Sequence, residues 1–167
     1  MSDVRRLSNF ISRTVSGPMW HGPAISELLT GVNAFDAASH PIPNAHSIWE
    51  IVLHLASWAE IAHARLGKKA VPDPTPEQDW PELTGHSNKD WQEAMNRLYK
   101  AYRTLAEDAA EMELEHLQRI LPGRDHSAQE MLHGIIEHGA YHGGQIAVLK
   151  RSLTHVAATR ETAELDE

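Results

Sequence analysis

Residues 91–112 read WQEAMNRLYKAYRTLAEDAAEM, and this stretch decides the fold class. Its apolar residues recur alternately four and three positions apart, at Trp91, Met95, Leu98, Tyr102, Leu105, Ala109 and Met112. This spacing predicts a long helix with one buried face, as in the core of a helical bundle. Ser87 and Asp90 stand at its start as a capping-box pair, in which each side chain can bond a free backbone N–H.

Two more long helices are predicted, one before and one after this stretch. Ser47 and Glu50 form a capping-box pair that starts a helix running to about Leu66, and Ser127 and Glu130 start the last long helix. Shorter helical patterns cover residues 3–15 and 23–32, and we expect the first of these to be peripheral. No period of two indicates a strand, so the sequence predicts an all-α fold.

The segment at residues 68–86 separates two of the predicted helices. It contains Pro72, Pro74, Pro76 and Pro81 and has no apolar period, which predicts a long crossover loop of the kind that often covers a site. Trp80 is the expected anchor of this loop. Residues 157–167 are polar, so we predict a single domain over residues 1–156 followed by a C-terminal tail.

The composition excludes several classes of function. The formal net charge of −8 argues against a nucleic-acid-binding surface. The absence of cysteine excludes disulfides, thiolate metal ligands and a cysteine nucleophile. No run of about 18 uncharged apolar residues occurs, so neither a membrane span nor a signal peptide is predicted, and we expect a cytoplasmic protein.

The last predicted helix carries a candidate metal-binding pair, His138 and His142. Their spacing of four places both imidazoles on one helix face, in positions where a bundle core normally carries leucine. An unsatisfied buried polar group costs about 1–3 kcal/mol, so either hydrogen bonds or a metal must satisfy them. His54 lies on the apolar side of the helix that Ser47 starts and is the best candidate for a third ligand, although a single histidine there is more often an ordinary core residue.

Three motifs together resemble the DinB/YfiT-like superfamily of four-helix-bundle proteins. They are Trp20-His21-Gly22-Pro23, then His46-Ser47-Ile48-Trp49-Glu50 leading to His54, and finally HGAYHGGQI at residues 138–146. The resemblance covers roughly residues 20–153. It implies a four-helix bundle, to which the sequence pattern adds a short N-terminal helix and the long Pro-rich crossover loop between the second and third bundle helices. It also implies that His54, His138 and His142 bind a divalent metal ion, most often zinc or nickel.

Three neutral histidines leave a coordination position open for water or substrate, as in catalytic sites, and we therefore expect a metal-dependent hydrolase acting on a small molecule. The candidate catalytic residues are Glu50, Tyr141 and Gln145, with Trp58 lining the pocket. Each has a structural alternative, because Glu50 can cap its helix, Tyr141 can pack, and Gln145 can hydrogen-bond within the bundle.

The resemblance also brings alternatives to hydrolysis. Some members are thiol S-transferases or isomerases that use a low-molecular-weight thiol such as bacillithiol or mycothiol. Since this chain has no cysteine, such a thiol would have to be a cofactor. In a non-catalytic alternative the metal only stabilises the bundle. Because relatives often pair, a homodimer is a further prediction, whereas the native metal and the substrate are not encoded in three histidines.

Overall fold

The structure is a computed structural model that describes the backbone of residues 3–165 and the side chains of residues 3–153. Over this range the chain forms α-helices and no β-strand, which confirms the predicted all-α fold. The helices are α1 (Asp3–Ser16), α2 (Ile25–Leu29), α3 (Ala34–Ala38), α4 (Ile48–Arg65), α5 (Pro76–Asp79), α6 (Asn88–Glu111), α7 (Leu114–Gln118) and α8 (Ala128–Leu165).

Each of the three long predicted helices begins where its capping pair stands. The Ser47 backbone N–H donates to Glu50 at 2.6 Å, and the Glu50 N–H donates back to the Ser47 hydroxyl at 3.2 Å. The same reciprocal bonds precede α6 and α8. These bonds satisfy backbone donors that the first helical turn leaves free, so they determine where each helix begins.

The four longest helices, α1, α4, α6 and α8, enclose the core. Both α4 and α1 pack against α6 and against α8, so each of the four helices contacts two of the others. The stripe of α6 supplies Trp91, Leu98, Tyr102 and Leu105 to this core, all of them buried. The spacing read from residues 91–112 is therefore the spacing of a buried helix face.

The expectation that the N-terminal helix is peripheral is wrong. Leu7, Ile11 and Val15 of α1 are buried against α6 and α8. The pattern at residues 23–32 forms only the short α2, because Ala24 is extended and Gly31, at a φ of 79°, ends the segment. The longer amphipathic helix α1 therefore provides the fourth side of the core.

The C-terminal part of the chain differs from the expected tail in one respect. The backbone of α8 continues to Leu165, through most of the segment 157–167. Residues 166–167 and the side chains after residue 153 lie outside the described part, so the division at residue 156 stays a prediction, as does the homodimer. None of the helices in the described range is long and apolar enough to cross a membrane.

A close approach between α1 and α8 at Gly139 gives a first testable prediction. A Cβ at this position would overlap Cγ2 of Thr14 and lie 3.1 Å from the hydroxyl oxygen of Tyr102. Gly139→Ala should therefore destabilise the protein by about 1–3 kcal/mol, because a packed core resists extra volume. Urea unfolding followed by circular dichroism measures this loss.

The matched control is Gly144→Ala on the same helix, where a Cβ would meet open space. Within a helix, alanine is more favourable than glycine by up to about 1 kcal/mol, so this variant should be as stable as wild type or more so. Equal changes in the free energy of unfolding for the two variants would contradict the close contact at Gly139.

Candidate metal centre

The structure brings the three predicted histidines together between α4 and α8. His54 comes from α4, and His138 and His142 come from successive turns of α8. One ligand nitrogen of each residue lies within 4.8 Å of those of the other two. Nε2 of His54 and Nε2 of His138 are 2.9 Å apart. The three rings therefore converge on one point.

Hydrogen bonds on the far side of two rings determine which nitrogen faces this point. Nδ1 of His54 lies 2.6 Å from the backbone carbonyl of Asp79, which can only accept, so this nitrogen carries the proton. Nδ1 of His142 donates in the same way to Oε1 of Gln145 at 2.6 Å. Both rings consequently present an unprotonated Nε2 to the centre of the cluster, the form that binds a metal.

Burial also keeps the cluster uncharged. It lowers the pKa of His138 to about 3, with the nearby His142 and His54 adding to the effect. It lowers the pKa of His142 to about 4, although the hydrogen bond that His142 donates to Gln145 acts in the opposite direction. The pKa of His54 is lowered by burial too. The imidazoles are therefore neutral at neutral pH, as metal ligands must be.

This donor set fits a divalent metal. Three neutral imidazole rings converge. The outer nitrogens of two of them, His54 and His142, are already hydrogen-bonded, as in zinc sites where a hydrogen-bond acceptor orients each ligand ring. In the hydrogen-bonded alternative, the Nε2–H of His138 would donate to His54 at the observed 2.9 Å. That bond joins only two of the three rings and does not involve Nε2 of His142.

A short helix that the sequence does not predict covers the cluster. The sequence predicts loop throughout residues 68–86, but α5 forms inside this segment, with Thr75 and Gln78 as a capping box and Pro76 in its first turn. The Ser57 hydroxyl donates to the carbonyl of Gln78, which holds α5 on α4. The Thr-Pro-x-Gln pattern is the sequence signal that could have revealed this helix.

Two residues at the end of α5 complete the surroundings of His54. The Trp80 ring stacks on His54, with centroids 3.8 Å apart, and on its other face it stacks on His46 at 3.6 Å. The carboxylate of Asp79 lies 3.3 Å from His54 Nδ1 and accepts a bond from Trp58 Nε1 at 2.7 Å. Trp80 thus restrains the ring of His54, and Asp79 places a negative charge beside the cluster.

A cavity of about 380 Å³ opens next to the histidines. His54, His138 and Asp79 line the part of it beside the cluster, and Trp58 forms part of its wall. The remaining lining is mostly apolar, from Ala62, Met131, Gly134 and Ile135, with Arg65 and His126 as the other polar residues. A mostly apolar cavity with a few convergent polar groups is typical of small-molecule sites.

The three predicted catalytic residues lie around the cluster in different ways. Gln145 bonds His142 through its oxygen and donates from Nε2 to the Tyr141 hydroxyl at 3.2 Å. Tyr141 itself is 65% exposed, with its ring against His142. Glu50 caps α4 and contacts His40 at 3.0 Å, so its carboxylate is engaged outside the cluster. Its pKa is lowered by the bonds from Ser47 and His40, although burial opposes them.

Comparison with known proteins identifies one family. The family described as the DinB superfamily matches residues 21–146, which is more than half of the chain and includes all three histidines. No curated protein and no solved structure matches the chain significantly. The family match therefore supports metal binding without naming a reaction.

Proposed function

The chain belongs to the DinB superfamily, and from this membership and the geometry of its histidine cluster we propose that it is a metal-dependent hydrolase of a small molecule. His54, His138 and His142 hold the metal, with zinc or nickel as the expected ions. The helices α1, α4, α6 and α8 are proposed to form the four-helix bundle of this superfamily, which holds α4 and α8 face to face. The observation that supports hydrolysis is the carboxylate of Asp79 beside the cluster.

A divalent metal bound by three neutral histidines supplies Lewis-acid chemistry, polarising a carbonyl and acidifying water. The protein's own residues supply the rest. The Asp79 carbonyl and Gln145 fix two ligand rings in the binding tautomer. The Trp58 and Ile135 side chains form an apolar wall of the cavity, which can hold the apolar part of a substrate.

Hydrolysis also requires a group that accepts a proton, and Asp79 is the carboxylate residue among those that line the cavity beside the cluster. Its carboxylate lies in the cavity wall with His54 and His138. It is one-third exposed, so water and substrate can reach it. The bond from Trp58 Nε1 holds one of its oxygens in place. We therefore assign Asp79, and not Glu50, as the general base.

The test is turnover of 4-nitrophenyl acetate by metal-loaded protein. We expect hydrolysis that chelation removes and that added zinc or nickel restores. Asp79→Asn should lower kcat by at least about 100-fold, a typical contribution of a general base. Its metal content should stay at the wild-type level, because the Asp79 backbone and not its side chain accepts from His54 at 2.6 Å.

Asp125→Asn is the matched control, since this exposed carboxylate lies outside the cavity wall and should leave kcat unchanged. Hydrolysis that survives chelation, or an unchanged kcat in Asp79→Asn, would contradict the proposal. Conjugation of an alkyl halide that requires an added low-molecular-weight thiol, without any ester hydrolysis, would instead establish the thiol transferase.

A further inference from the structure

The end of the cavity away from the histidines contains a buried guanidinium that lacks a full set of partners. The side chain of Arg65 is only 7% exposed and lines the cavity wall. Its Nη2 donates to Asp73 at 3.1 Å, but its Nε is buried without a hydrogen-bond partner. A buried donor of a charged group without a partner is rare in folded proteins, so the protein itself satisfies this guanidinium only in part.

The charges around Arg65 do not cancel. Arg124 donates to the same oxygen of Asp73 at 2.5 Å, so two guanidinium groups share one carboxylate. That carboxylate is 80% exposed, which weakens its attraction through solvent screening. Burial and the nearby Arg124 lower the pKa of Arg65, although Asp73 opposes them. This end of the cavity therefore carries an excess of positive charge.

Arg65 belongs to the same helix face as the metal-binding histidine. His54, Trp58, Ala62 and Arg65 are spaced four, four and three residues apart on α4, and all four line the cavity. The Arg65 guanidinium lies 5.7 Å from the Trp58 ring, and the same ring lies 6.0 Å from the ring of His138. The Trp58 indole thus bridges the positive end of the cavity and the cluster.

We propose that Arg65 binds the anionic group of the substrate, and that the substrate is an organic carboxylate with an apolar body. This inference rests on the proposed function, because it assigns a substrate class to the same cavity. The carboxylate pairs with the Arg65 guanidinium in the cavity wall, the body lies along Trp58, Ala62 and Ile135, and the reacting group reaches the histidines. Arginine suits this role because its planar donors match a carboxylate.

Calorimetric titration of zinc-loaded protein with 4-phenylbutyrate and with its neutral analogue 4-phenylbutanamide tests the proposal. Wild type should bind the acid about tenfold more tightly than the amide, the gain expected from a charge-assisted hydrogen bond. In Arg65→Gln this ratio should fall to within about twofold. Arg97→Gln is the matched control, since Arg97 pairs with Glu60 on another face and should keep the wild-type ratio.

Asp73→Asn provides a second variant should Arg65→Gln fail to fold. It removes the exposed carboxylate that competes for both guanidinium groups, so the preference for the acid should increase several-fold. Equal binding of acid and amide by wild type, a preference that survives in Arg65→Gln, or an unchanged ratio in Asp73→Asn would each overturn the proposal.

Metal analysis of every sample separates this proposal from the proposed function. A wild type that holds no zinc but still prefers the acid through Arg65 would support the anion subsite and contradict the metal-dependent hydrolase. A wild type that holds zinc and shows no preference would overturn the subsite alone.

Discussion

Replacement of His138 by alanine should abolish tight binding of a divalent metal. His138 contacts both of the other ligands, with its Nε2 at 2.9 Å from Nε2 of His54 and its ring centroid 4.5 Å from that of His142. Loss of a residue that only hydrogen-bonds a metal ligand weakens metal binding roughly 10–100-fold, and loss of one of the three ligands themselves should weaken it by more. Isothermal titration of the metal-free protein with zinc measures the change.

The matched control for this prediction is His133→Ala. His133 is on the same helix but exposed, so its loss should leave zinc affinity at the wild-type value. Helical circular dichroism should be the same in both variants, because neither substitution removes a large apolar core side chain. Zinc binding that is equally strong in His138→Ala and in wild type would contradict the assignment of His138 as a ligand.

Replacement of Gln145 by alanine should weaken zinc binding by roughly 10–100-fold, although Gln145 is not a ligand. Its Oε1 accepts from Nδ1 of His142 at 2.6 Å and so keeps the metal-binding nitrogen of that ring unprotonated and aimed at the cluster. Without this acceptor the ring can rotate and its proton can move to Nε2. Zinc titration at constant pH measures the effect.

Two further variants distinguish this orienting role from a general loss of structure. Gln145→Glu retains an acceptor for His142 and should recover zinc affinity to the wild-type value or above it. Tyr141→Phe removes a hydroxyl that contacts Gln145 but not His142, so its zinc affinity should fall much less than that of Gln145→Ala. Equal zinc affinities in Gln145→Ala and wild type would contradict the role assigned to Gln145.

The parts of the structure that the sequence predicts are those with a local cause. The stripe of α6 and the Ser–acid pairs before α4, α6 and α8 act within one or two helical turns, so their spacing is visible in the chain. The same holds for His138 and His142, one turn apart on α8. His54 can be predicted as the third ligand because it lies on the apolar side of a predicted helix, and this side faces the core.

The parts that the sequence does not predict depend on contacts between distant segments. The burial of α1 follows from its packing on α6 and α8, and no local pattern distinguishes this from a peripheral amphipathic helix. Asp79 and Trp80 reach His54 only because α5 folds back onto α4. The role of Arg65 likewise depends on Asp73 and Arg124, which belong to two different connecting segments.

X-ray absorption spectroscopy of the zinc-loaded protein tests whether His54, His138 and His142 hold one divalent metal with a position left open. We expect one zinc per chain with three imidazole nitrogens at about 2.0–2.1 Å and an exchangeable oxygen donor. A protein that holds no stoichiometric zinc, or a zinc with fewer than three imidazoles or without an exchangeable donor, would contradict this expectation.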